Sequence, residues 1–74
     1  MTIGKNIADL RKSNGMTQEQ LAETLGVSSQ TVSKWENGTT MPDVTMIPAI
    51  ASFFNVSTDE LFDFNRVEQE KKIQ

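Results

Sequence analysis

The 74-residue chain contains no cysteine and no histidine. Without thiols there is neither a disulfide framework nor a thiolate metal site. Without imidazole the commonest metal ligand and the usual general base near neutral pH are both missing. No apolar run approaches the roughly 20 residues of a membrane span, and the N-terminus does not have the pattern of a signal peptide. These absences argue against an enzyme, a metal or other cofactor, and a membrane partner. The expected setting is soluble, reduced and cytoplasmic. The length allows one domain, near the lower size at which a single core suffices.

An excess of basic charge is also missing. The chain carries 7 Lys and Arg against 10 Asp and Glu, a net charge of −3. The usual electrostatic footprint of a nucleic-acid binder is the opposite. The imbalance is local, however. Residues 1–40 are neutral, with Lys5, Arg11, Lys12 and Lys34 matched by Asp9, Glu19, Glu23 and Glu36. Residues 41–74 hold the whole deficit, through Asp43, Asp59, Glu60, Asp63, Glu68 and Glu70.

What is present is helix punctuation. Thr2 is placed to cap a first helix whose apolar residues Ile3, Ile7 and Leu10 share one face, ending at Asn14-Gly15. Thr17 and Gln20 have capping-box spacing ahead of Leu21, Ala22 and Leu25, and Gly26 stops that helix. Ser28 caps a third helix that ends at Asn37-Gly38. A loop from Thr39 to Asp43 follows. A fourth helix carries Ile47, Ile50, Ala51 and Phe54 at helical spacing, with Thr45 expected as its cap. That start leaves Pro48 in the first turn, where a missing N–H does no harm. Ser57 and Glu60 form another box, opening a fifth helix with Leu61 and Phe62. No strand pattern is evident. The prediction is an all-α, compact five-helix bundle over residues 1–64. The polar stretch 65–74 is a tail: a frayed helix, a linker or the start of something longer.

Residues Gln18 to Asn37 place Ala22, Gly26 and Val32 at the spacing of a helix-turn-helix. Ala22 is small where two helices approach, Gly26 accepts a left-handed turn, and Val32 seats the second helix on the core. At about 100° per residue from Ser29, Val32 and Trp35 fall near 300° and 240°, the inward side. Trp35 can in principle stack on a base, but its phase with Val32 assigns it to the core. Ser29, Gln30, Ser33, Lys34 and Asn37 fall between about 0° and 140°, the outward side. Glutamine pairs with adenine, lysine donates to guanine, and serine serves either, so this face suits base edges. A solvated surface helix would look similar; the turn upstream is what gives the face a use. Gln18 can bond a phosphate, buttress Gln30, or simply be an exposed first-turn residue.

Residues 3–62 resemble the Cro and phage-repressor type helix-turn-helix domain, the XRE family. The resemblance rests on Arg11, Gly15-Met16-Thr17-Gln18 before Leu21-Ala22, Gly26-Val27-Ser28, and Val32-Ser33-Lys34-Trp35-Glu36-Asn37-Gly38. It implies a lambda-repressor-like bundle that binds a double-stranded DNA operator, usually as a homodimer. It implies base reading by Ser29, Gln30 and Lys34, to which the helical phase adds Ser33. It further implies phosphate contacts from Gln18, Ser28 and Asn37, and an ion pair between Arg11 and Glu36. Arg11 also has the readings of a phosphate contact or an idle surface charge.

Two departures from familiar repressors stand out. Thr39, Thr40, Met41 and Pro42 are neutral where basic residues would strengthen phosphate contacts, although Thr39 and Thr40 can still hydrogen-bond phosphate. The helix 4–helix 5 edge, a common dimer surface, carries polar Thr58, Asp59 and Glu60. Phe53 and Phe64 either form a patch there or complete the core. The expected function is a sequence-specific transcriptional regulator, a repressor, with no small-molecule ligand evident. The alternative is an antitoxin-like or regulatory protein-binding module that uses the acidic C-terminal half.

Overall fold

Residues 3–62, which the computed structural model describes, run through α1 (Ile3–Ser13), α2 (Gln18–Leu25), α3 (Ser29–Glu36), α4 (Met46–Phe53) and α5, described over residues 58–62. No strand occurs among the described residues, and no helix there is long and apolar enough to cross a membrane. The expected cap at Thr2, together with Asp63, Phe64 and the tail 65–74, lies outside them.

Helix starts follow the polar side chains that can satisfy free amides. Thr17 Oγ1 accepts from the Gln20 N–H at 3.0 Å, while Gln20 Oε1 accepts from the Thr17 N–H at 2.9 Å. Ser57 and Glu60 repeat the arrangement, each bond 3.0 Å. Ser28 Oγ accepts from the Thr31 N–H at 3.1 Å. The fourth start differs from expectation. α4 does begin at Met46, so Pro48 lies in its first turn, but Thr45 makes no capping bond and its own backbone is already helical. Asp43 Oδ1 does the work instead, accepting from the Thr45 N–H at 2.9 Å, the Met46 N–H at 3.1 Å and the Thr45 hydroxyl at 2.5 Å. A carboxylate two residues upstream accepts several donors at once, and the threonine hydroxyl becomes one of them. These bonds, the Thr45 hydroxyl first, hold the Asp43 carboxyl below its ordinary value.

Helices α1 to α4 share one ending. A residue at positive φ (Gly15, Gly26, Gly38 or Asn55) is followed by an amide that bonds five residues back. The pairs are Met16 to Arg11, Val27 to Ala22, Thr39 to Lys34, and Val56 to Ala51, at 2.9–3.1 Å. Gly26, at φ 75° with nothing near its missing side chain, sets the angle between α2 and α3.

The core comprises Ile3 and Ile7 of α1, Leu21 and Ala22 of α2, Val32 and Trp35 of α3, Ile47, Ile50 and Ala51 of α4, then Phe54 and Leu61. Leu10 and Leu25 are only partly buried. Phe53 stays largely at the surface, edge-on to Phe54 with ring centroids 5.1 Å apart. Two core features carry no periodic signal in the sequence. Asn6 is fully buried and donates from Nδ2 to the Leu61 carbonyl at 2.7 Å, tying α1 to α5. Gly4 lies where α1 crosses the end of α3, and a Cβ there would fall 1.8 Å from the Trp35 carbonyl oxygen.

Helix propensity alone would make Gly4→Ala stabilising by about 1 kcal/mol. The crossing reverses the sign: forcing the backbones apart is expected to cost about 1–3 kcal/mol. Gly26→Ala meets no neighbour and loses about 1–2 kcal/mol, from its left-handed backbone alone. Urea denaturation of both variants checks this, and a Gly4→Ala protein as stable as the parent would refute the tight crossing.

Candidate nucleic-acid interface

Helix α3 is fixed on its inner side and uncommitted on its outer side. Val32 and Trp35 are buried, and Ser28 Oγ is occupied at the N-cap, with the Thr31 hydroxyl 2.9 Å away. Gln30 and Lys34 are exposed, and Ser29 and Ser33 are half-buried beside them. None of these four side chains has a hydrogen-bond or ion-pair partner among the described residues. Their donors and acceptors are therefore available to a ligand without breaking an internal bond.

The base of α3 is the most tightly bonded place in the described chain. Glu36 Oε2 accepts from Arg11 Nε at 2.7 Å, and Oε1 accepts from Arg11 Nη2 at 3.0 Å. The two side chains are only 11% and 8% exposed. Arg11 Nη1 also donates to the Met16 carbonyl at 2.7 Å, just ahead of α2. The third donor to Glu36 is Gln18 Nε2, 3.0 Å from Oε1. Arg11 is thus held inside a structural ion pair, and Gln18 reaches Glu36 rather than Gln30. The carboxylate joins α1, the first turn of α2 and the last turn of α3.

The remaining expected contacts are arranged unevenly. Asn37 Oδ1 accepts from the Thr39 N–H at 2.9 Å and from the Thr39 hydroxyl at 2.5 Å. The Thr39 proton is therefore already used, and reaching a phosphate would require releasing it. Asn37 Nδ2 and the Thr40 hydroxyl have no partner among the described residues, and both residues are exposed. Lys34 and Lys12 are exposed cations, while Lys5 pairs with Asp9 at 3.4 Å. No cluster of metal-ligating side chains occurs among the described residues.

A surface feature missed in the sequence lies away from α3. Met41, Val44 and Phe62 are 62%, 82% and 45% exposed. Phe62 and Val44 line a shallow groove with Pro42, Ile47, Pro48 and Thr58. The apolar residues come from the α3–α4 loop, the first turn of α4 and α5, which no periodicity links in sequence.

Burial pushes the Glu36 carboxyl up, but the hydrogen bonds from Arg11 and Gln18, with the charges of Arg11 and Lys12, bring it below its ordinary value of about 4.5. A depressed folded value means this stabilisation is present above the unfolded value and is lost as pH falls through the folded one. Glu36→Gln, which leaves Arg11 buried without its counter-charge, is expected to cost about 3 kcal/mol at pH 7. The gap between parent and variant should narrow as pH is lowered from 5 toward 3, followed by chemical denaturation. A gap independent of pH would mean that the charge on Glu36 contributes nothing.

A helix-turn-helix family profile matches residues 7–61. The chain is 43% identical over 61 residues to the HTH-type transcriptional activator BcrR of Enterococcus faecalis, covering 82% of this chain and 30% of that protein. It is 44% identical over 55 residues to the antitoxin PezA of Streptococcus pneumoniae, covering 74% of this chain and 35% of that one. It thus spans about a third of the length of each of these relatives. Among solved structures, the P22 c2 repressor in complex with a synthetic operator matches with a TM-score of 0.79 and 28% identity, covering 85% of this chain and 96% of that one.

Proposed function

We propose, because the chain belongs to the XRE-type helix-turn-helix family, that it is a transcriptional regulator that reads an operator through α3. The observation that carries this reading is the outer face of α3. Gln30 and Lys34, flanked by Ser29 and Ser33, present unpaired polar groups on a helix whose other side is locked into the core. Gln30 suits adenine and Lys34 suits guanine O6 or N7. Ser28, Asn37, Thr40 and the first turn of α2 at Gln18 supply neutral phosphate contacts around that face, and Thr39 joins them only by giving up its bond to Asn37. Repression follows from occupying a promoter and requires no further chemistry from the domain.

Binding as a homodimer is part of the proposal. With Arg11 withdrawn into its ion pair and Lys5 beside Asp9, Lys34 and Lys12 are the exposed cations outside an ion pair in the described α1–α3 region. A protomer neutralising about two phosphates gains little from counterion release, and its log K falls with log salt at a slope of only about −2. Specific affinity near ~10⁻⁸ M is then supported by a second half-site about 34 Å away. The apolar groove around Val44 and Phe62 offers a surface for the partner copy, where the sequence suggested the polar edge of Thr58, Asp59 and Glu60 with a patch at Phe53 and Phe64.

Gln30→Ala and Lys34→Ala are each expected to weaken binding to a selected operator by about 1–3 kcal/mol without lowering the melting temperature. Fluorescence anisotropy measures this; unchanged affinity in both variants would overturn the assigned face. If random-duplex selection yields no motif while a protein partner is retained through Glu60, the antitoxin-like alternative is favoured.

Val44→Glu, at a highly exposed position, should reduce affinity for a two-half-site operator at least about tenfold while leaving single half-site binding unchanged. Equal loss on both operators, or none on either, would exclude this groove as the dimer surface.

A further inference from the structure

The carboxylate of Glu36 accepts three hydrogen bonds, and only two of them belong to its ion pair. The third comes from Gln18, on the first residue of α2, 18 residues away in sequence. A primary amide has a donor end and an acceptor end that are nearly equal in size, so an exposed glutamine presents either end with little preference. An ionised carboxylate removes that freedom because it only accepts. Turning the Gln18 amide over would set its carbonyl oxygen against the Glu36 oxygen, two acceptors at hydrogen-bond distance with no proton between them. The nitrogen must therefore face inward. One of its two protons is spent on Glu36, and the second, with the carbonyl, remains free: Gln18 has no other partner among the described residues.

We propose that Glu36 is a positioning residue for DNA recognition, orienting the Gln18 amide so that its second N–H meets a phosphate. This rests on the operator-binding reading above. Arg11 is what makes the arrangement tolerable, since its fork neutralises the carboxylate and keeps a negative charge from standing bare beside the DNA backbone. The ion pair thereby has two outputs, one holding the bundle and one setting a contact. A purely structural Glu36 would have only the first.

The two are separated by a double-mutant cycle. Operator affinity is measured for the parent, Gln18→Ala, Glu36→Gln and the double variant, at a temperature where all four are folded by circular dichroism. The expected result is non-additive. Gln18→Ala weakens binding by at least about tenfold, consistent with one charge-assisted hydrogen bond. Glu36→Gln weakens the parent similarly, yet weakens the Gln18→Ala background by less than about twofold. Equal loss in both backgrounds would overturn the proposal, leaving Glu36 a structural residue. Parent-like binding by Gln18→Ala would also overturn it. If Gln30→Ala and Lys34→Ala still weaken binding in either case, the operator-binding reading survives. If the parent itself selects no operator, that reading fails first.

A second measurement covers the case in which Glu36→Gln does not fold. The side-chain amide resonances of Gln18 in the unaltered protein should move with the protonation of Glu36 as pH is lowered. They should move again when operator is added at neutral pH. Gln18 resonances that ignore the Glu36 titration would refute the tether, and resonances that ignore the operator would refute its use.

Discussion

A glutamate side chain taken nine-tenths out of water must be given donors or it will not stay ionised, and the described chain is organised around supplying them to Glu36. The donors come from Arg11 on α1 and Gln18 on α2, and the acceptor sits on the last turn of α3. Satisfying one carboxylate therefore fixes the relative placement of three helices. Hydrophobic burial of Ile7, Leu21, Val32 and Trp35 is non-directional, so it specifies register less sharply than a hydrogen-bonded fork at 2.7 and 3.0 Å. Gly4 reinforces the same corner from the other side, letting α1 lie against the Trp35 carbonyl.

This corner explains why the outer face of α3 can be left so bare. A short helix of eight residues has little intrinsic stability. It is held by the Ser28 cap at one end, by Val32 and Trp35 along its inner side, and by Glu36 and the Gly38 turn at the other end. Nothing on the outer side is needed for folding. The exposed Gln30 and Lys34 can therefore vary with little cost to the bundle.

How much of this was legible in the sequence depended on whether the signal was local. Caps and stops are local, so Thr17, Ser28, Ser57, Gly15, Gly26 and Gly38 could be assigned from neighbouring residues. Core faces are periodic, so Val32, Trp35, Ile47 and Ile50 could be assigned from spacing. Asn6 and Gly4 could not, because each serves a partner on a distant segment, the Leu61 carbonyl and the Trp35 carbonyl. The Gln18–Glu36 bond failed for the same reason: a glutamine in a first turn looks the same whether it faces solvent or a carboxylate. At α4 the error was a choice between adjacent polar residues. Thr45 has the usual capping identity, but the N3 position it would cap is Pro48, which has no N–H, whereas Asp43 accepts from the amides of Thr45 and Met46.

The acidity of the chain takes on a different meaning once Arg11 is withdrawn into its ion pair with Glu36. A domain that recruits DNA by charge binds many sequences and discriminates late, because phosphate contacts carry no sequence information. One with few exposed cations, as here with Lys12 and Lys34, has little non-specific affinity to begin with. Under the proposed operator binding, the energy comes from base contacts, neutral phosphate bonds and pairing of two copies, all of which depend on geometry. Orientation of each polar group then matters more than its number. An amide at Gln18 presented the wrong way round would set an acceptor against a phosphate, where a lysine could have adapted. In a protein with this charge balance, a buried glutamate that selects one face of a surface amide has a larger share of the recognition to govern.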